Sequence, residues 1–159
     1  MPEDAQLDEL AQELARALAH DVTLALGAAE RASRSALFRH LGERGHADIR
    51  PAHLPVFAGI ESGGSRISEL AARAGLTRQA MSMLVRDVEA VGYVSTAPDP
   101  DDGRAVLVQP TPRGVTFCRD IARSSRAVSA EIEQRLGAAR LADILDGVRA
   151  IADPHIARE

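Results

Sequence analysis

The chain has 159 residues, 45% hydrophobic and 26% charged, with a net charge of −4 and a single cysteine. That balance describes a soluble globular chain with room for one substantial core, and it excludes a disordered segment or a generic polyanion binder. One cysteine, Cys118, also excludes an intrachain disulfide and a multi-cysteine zinc site.

All 19 basic residues are arginine, so every side-chain cation is a planar fork suited to phosphate and base edges. Aromatic residues make up only 3%, and core volume must come from Ala, Leu, Val and Ile, a composition that favours close helix packing. Residues 1–65 hold six arginines against ten acids, whereas 66–113 and 114–159 are each balanced, so the acidic excess lies in the N-terminal part. The opening "MPEDAQLDEL" lacks the apolar core of a signal peptide, and no run approaches membrane-spanning length; the expected location is the cytoplasm.

From Leu7 to Leu41 a stripe recurs at helical spacing (Leu7, Leu10, Leu14, Leu18, Val22, Leu26, Ala29, Ser33, Leu37, Leu41), predicting one long helix or two with a bend near Gly27, ended by Gly42 and Gly45. "IRPAHLPVFAGIESGGS" predicts a short helix that is kinked at Pro55 or begins late, because an interior proline loses a hydrogen bond. Next, Ser68 is placed to cap a helix running to about Ala74, Gly75 to make the turn, and Thr77 to cap a second helix ending near Gly92. Leu70, Ala71, Leu76, Met81, Leu84, Val85 and Val88 face inward in this helix-turn-helix pattern.

"YVSTA" and "AVLVQ" then read as two strands around the tip "PDPDDGR". Thr111 and Pro112 open a long helix with the stripe Val115, Cys118, Ile121, Ser125, Val128, Ile132, Leu136. After Gly137 a last helix carries Leu141, Ile144, Leu145, Val148 and Ile151 on one side. The fold class expected is mainly α with a small β-hairpin wing. A winged helix-turn-helix at 51–113 is flanked by dimerisation helices at 1–50 and 114–159, in a single compact domain overall. Both flanking stripes exceed what the small central module can cover, so a second copy of the chain is the expected partner.

A recognition helix must offer side chains that reach base edges and phosphates. Arg78, Gln79, Ser82, Met83 and Arg86 fall on the outward face of the second helix, with Arg86 the one aimed at backbone. Ser68 and Thr77, near helix N-termini, can meet phosphates. Arg104 at the wing tip is placed to enter a minor groove, with Asp102 two residues earlier to orient it, prolines 98 and 100 stiffening the approach and Gly103 permitting the turn.

"ISELAARAGLTRQAMSMLVRDVEAVGYV" followed by "DPDDGRAVLVQPTPRG" resembles the MarR family of bacterial transcriptional regulators, with Asp102-x-Arg104, Val106, Leu107, Val108, Thr111 and Gly114 as the most specific part. The resemblance implies a homodimer on a pseudo-palindromic double-stranded operator, usually a repressor, released by a small anionic or aromatic effector whose pocket lies between dimer layer and reading module. It implies Arg104 as the minor-groove residue, Asp102 as its support, and Arg78, Gln79, Ser82 and Met83 at the major groove. The sequence departs from the family pattern in its Arg86-Asp87 order and in Ser95-Thr96 after "GYV", and both changes lower positive charge near DNA.

Other readings are weaker. Histidines 20, 40, 46 and 53 lack tight ligand spacing and Cys118 sits on an apolar stripe, so neither a metal nor a redox role is expected, and no cofactor is implied. Without a nucleophile elbow, phosphate loop or compact acid–base set, the chain does not read as an enzyme. A winged-helix protein-interaction module without sequence-specific DNA binding is the alternative, with the balanced charge of 66–113 in its favour.

Overall fold

The computed structural model describes residues 2–61, 63–100, 102 and 105–153. The chain divides into two units, Met1–Ala36 and Leu37–Glu159. The first holds α1 (Pro2–Ala19) and most of α2 (Val22–Glu43), which runs on into the second. The break falls at His20–Asp21 and not near Gly27, because the Asp21 carboxylate accepts the Leu24 amide at 2.9 Å and caps α2. Leu7, Leu10, Leu14 and Leu18 along α1 are exposed.

In the second unit a 3-10 turn (Pro51–His53) leads into α3 (Leu54–Ala58). Of the two options the sequence left, the helix begins late. Pro55 then falls in the first turn, where its missing N–H costs nothing. The helix-turn-helix is α4 (Ile67–Arg73) and α5 (Arg78–Ala90). Gly75, at φ +63°, makes the left-handed turn that lets the Leu76 amide reach back to the Ala71 carbonyl at 2.9 Å. Thr77 caps α5 as expected, its hydroxyl accepting the Ala80 amide at 3.1 Å.

Ser68 does not cap α4. Arg66 occupies that place and the Glu69 carboxylate accepts its amide at 3.1 Å, because Arg66 is already held in an unpredicted strand, β1 (Ser65–Arg66). The sheet therefore has three antiparallel strands in the order β1-β3-β2, where β2 is Val94–Pro98 and β3 is Val106–Pro110. Val108 pairs with Ser65 on one side and Thr96 on the other.

Leu70, Ala71, Met81, Val85 and Val88 are buried as expected and Leu84 half-buried, but Leu76, at the corner between the helices, is 37% exposed. Thr111 and Pro112 start α6 (Pro112–Leu136) as the sequence indicated, with the Gly114 amide donating to the Thr111 hydroxyl at 3.1 Å. The phase of α6 differs from the expected stripe. Gly114, Phe117, Asp120, Ser124 and Val128 are buried, whereas Val115 and Leu136 are exposed. The reason is polar. Asp120 goes inside because His46 meets it there, with Nε2 3.2 Å from its carboxylate. α7 (Ala138–Ala152) leaves Ile144, Leu145, Val148 and Ile151 exposed.

The core centres on Leu41, Val56, Leu70, Met81, Val88, Tyr93, Val108 and Phe117. Phe57 and Tyr93 meet the Phe117 ring edge-on at 4.7 and 5.3 Å, and His46 does so at 5.0 Å. The Tyr93 hydroxyl donates to Asp48 at 2.7 Å and lies 2.9 Å from His46 Nδ1. Burial and then the Asp48 bond push the phenol well above its ordinary pKa, so it stays a donor. Burial alone would raise Asp48, but the bonds from Tyr93, its own backbone and Arg113 outweigh that and hold it below the usual carboxylate value.

A Cβ on Gly114 would stand 2.0 Å from the Tyr93 carbonyl oxygen, a backbone atom that cannot step aside. Gly114→Ala is therefore expected to cost about 3 kcal/mol, the upper end for overpacking a tight site. Chemical denaturation measures it, and a loss below about 0.5 kcal/mol, the range of an ordinary surface change, would contradict this packing.

Candidate nucleic-acid interface

α5 is built as a rod with one wet side. Met81, Val85 and Val88 are buried, while Arg78, Gln79, Met83 and Arg86 are exposed. With 3.6 residues per turn, Gln79, Met83 and Arg86 cluster near the pole opposite the core, and Arg78 and Ser82 lie on its flank. Arg78 and Arg86 form no ion pair among the described residues, so both guanidinium groups remain available. Ser82 is half-buried and its hydroxyl donates to the Arg78 carbonyl at 2.8 Å. Thr77 and Ser68 are both exposed, the first at the cap of α5 and the second in the first turn of α4.

Two contacts missed from sequence fasten the wing, one to this helix and one to Arg66 at the start of α4. Glu89, on α5, accepts both the amide and the hydroxyl of Thr96 at 2.8 Å. Asp99, at the end of β2, is buried and accepts Arg66 Nε at 2.6 Å. That bond raises the Arg66 pKa further, with attraction to the same carboxylate adding to it. The pairs join residues 7 and 33 positions apart, each across two different elements, and neither carries a local motif. Beyond Pro98 the Asp99 amide donates to Ala105 O at 3.0 Å and the Ala105 amide to Asp102 O at 2.8 Å, closing the wing. Asp102 is exposed. Arg104, like Gly103, lies outside the described residues.

The departures noted in sequence also find partners. Asp87 is paired with Arg50 at 2.9 Å, and Thr96 is the residue that Glu89 holds. A cavity of about 420 Å³ lies beside α6, lined by Ile60, Glu61, Pro110, Val115, Cys118 and Arg119 among others. Its walls are largely apolar, and Arg119 and Glu61 are the charged residues lining it. Burial pushes the Cys118 thiol up, which keeps it a thiol rather than a reactive thiolate. Elsewhere His40 Nε2 lies 2.7 Å from Glu131, and His53 is buried beside Arg50.

A model of the MarR family matches residues 47–105. Among solved structures, the transcriptional regulator PA4135 is 25% identical with a TM-score of 0.60, over 83% of this chain and 96% of that one. YusO from Bacillus subtilis is 19% identical with a TM-score of 0.65, over 87% and 96%. CouR from Rhodococcus jostii RHA1, solved with p-coumaroyl-CoA bound, is 22% identical with a TM-score of 0.65, over 86% and 95%. No curated protein matches the chain by sequence. Residues 47–105 are thus similar to the MarR family, and the chain shares the fold of solved transcriptional regulators, one of them of that family.

The start of α5 rests on Thr77. Thr77→Ala is expected to lower stability by about 1 kcal/mol, with Thr77→Ser close to the parent. Thermal unfolding of both variants checks it, and equal losses would remove the cap from the account.

Proposed function

We propose that this protein is a DNA-binding transcriptional regulator. It binds a pseudo-palindromic operator as a homodimer and acts as a repressor, released by a small anionic or aromatic effector. The observation that carries this reading is α5, whose outward side holds Gln79, Met83 and two arginines that form no ion pair among the described residues, while Glu89 ties the helix to the wing. In this reading α5 enters the major groove, Thr77 and Ser68 approach phosphates, and Arg104, supported by Asp102, enters the minor groove.

The exposed leucines of α1 and the exposed apolar residues of α7 support a second copy as the partner, since each would be covered in a dimer. The cavity beside α6 supports the effector: its apolar walls suit a ring and Arg119 suits a carboxylate. CouR, with its bound p-coumaroyl-CoA, and PcaV from Streptomyces coelicolor, solved with its natural ligand, are ligand-binding proteins of this fold.

The competing reading, a protein-interaction module, draws on the equal numbers of arginines and acids in 66–113. Selection from random duplex DNA decides between them. A regulator enriches two inverted half-sites and loses affinity steeply as salt rises, and Arg104→Ala weakens binding by about 1–3 kcal/mol. No enrichment over scrambled competitor would overturn the DNA reading, and undiminished affinity of Arg104→Ala would remove the wing from it.

A further inference from the structure

Two of the chain's three methionines lie on α5, and the fold gives them opposite fates. Met81 is wholly buried in the core, whereas Met83 is 59% exposed. Met83 stands two residues from both Met81 and Val85, about 200° around the helix from each, so it points directly away from the core. Its neighbours on that side are Gln79 one turn before it and Arg86 and Asp87 one turn after. Asp87 is engaged by Arg50, and Gln79 and Arg86 are exposed hydrogen-bonding side chains. An unbranched apolar chain therefore stands at the centre of an otherwise polar surface.

We propose that Met83 determines sequence specificity by packing its thioether against the C5-methyl group of a thymine, one in each half-site. This rests on the DNA-binding reading above. The thymine methyl is the apolar group among the base edges of the major groove, and the other edges offer donors and acceptors that a thioether cannot satisfy. Methionine suits the contact because it is long, flexible and polarisable, and settles on a methyl without demanding one rotamer. The flanking Gln79 and Arg86 supply hydrogen bonds to adjacent edges or phosphates, so the methyl contact adds selection at one position between them.

The test uses duplexes recovered by selection with the full chain, remade with deoxyuridine in place of thymidine at one position at a time. That change removes the methyl group and leaves every hydrogen-bonding edge intact. At one thymine per half-site the parent protein is expected to lose about fourfold in affinity, the worth of burying one methyl group. Met83→Ala and Met83→Gln are expected to bind the thymidine and deoxyuridine duplexes equally. Arg86→Ala is expected to weaken both duplexes together while keeping the fourfold ratio. The inference is overturned if the parent discriminates at no thymine, or if the Met83 variants keep the full ratio. Should Met83→Ala fail to fold, the Gln variant, of nearly the same length, decides alone. Failure of the DNA reading itself shows earlier and separately, as a selection with the parent protein that yields no duplex.

Discussion

The arrangement of the second unit depends on how Tyr93 is held. Its amide donates to the Val88 carbonyl at 3.0 Å and so closes the end of α5. Its own carbonyl accepts the Thr111 amide at 3.0 Å, just before α6 begins. Its ring is fully buried against Phe117 of α6, and its hydroxyl is taken by Asp48 and His46. Arg113 lies 4.2 Å over the outer face of the ring and reaches Asp48 at 2.8 Å. One residue thus joins α5, β2 and α6. Gly114 lets α6 come close enough for this to happen.

With that joint fixed, the acids of the module take on a different meaning. Counted along the sequence they cancel the arginines and argue against a nucleic-acid partner. In the fold most of them serve internal bonds: Glu69 to the Arg66 amide, Asp87 to Arg50, Glu89 to Thr96, Asp99 to Arg66. Among the described residues, the module's arginines without a carboxylate partner, Arg78 and Arg86, stand on the outward side of α5. Net charge summed over a segment says little about the field on one face when half the charges hold the scaffold together.

How much of this was legible in the sequence follows from the range of each interaction. The α5 cap, the Gly75 turn and the Thr111-Pro112 start are local, their partners lie within a few residues, and all three were readable. The break before α2 falls at Asp21 and not at Gly27 because a capping carboxylate starts a helix there, whereas a lone glycine inside a helix is tolerated. The two-residue β1 has no periodicity to find, and by claiming Arg66 it moved the α4 cap off Ser68. The α6 face was mis-phased because hydrophobic pattern assigns an aspartate outward, while Asp120 is buried by a histidine 74 residues away. The outward residues of α5 were legible as a helical face. Their supports, Glu89 and Asp99, were not.

The joint at Tyr93 is tested most directly by amide hydrogen exchange on the free protein. If it welds α6 to the helix-turn-helix, the amides of Tyr93 and Thr111 exchange only when the whole unit unfolds, at the same slow rate as Val85 and Val88 in α5. Fast exchange at Thr111 with α5 still protected would show α6 swinging free of the helix-turn-helix, and would contradict the account.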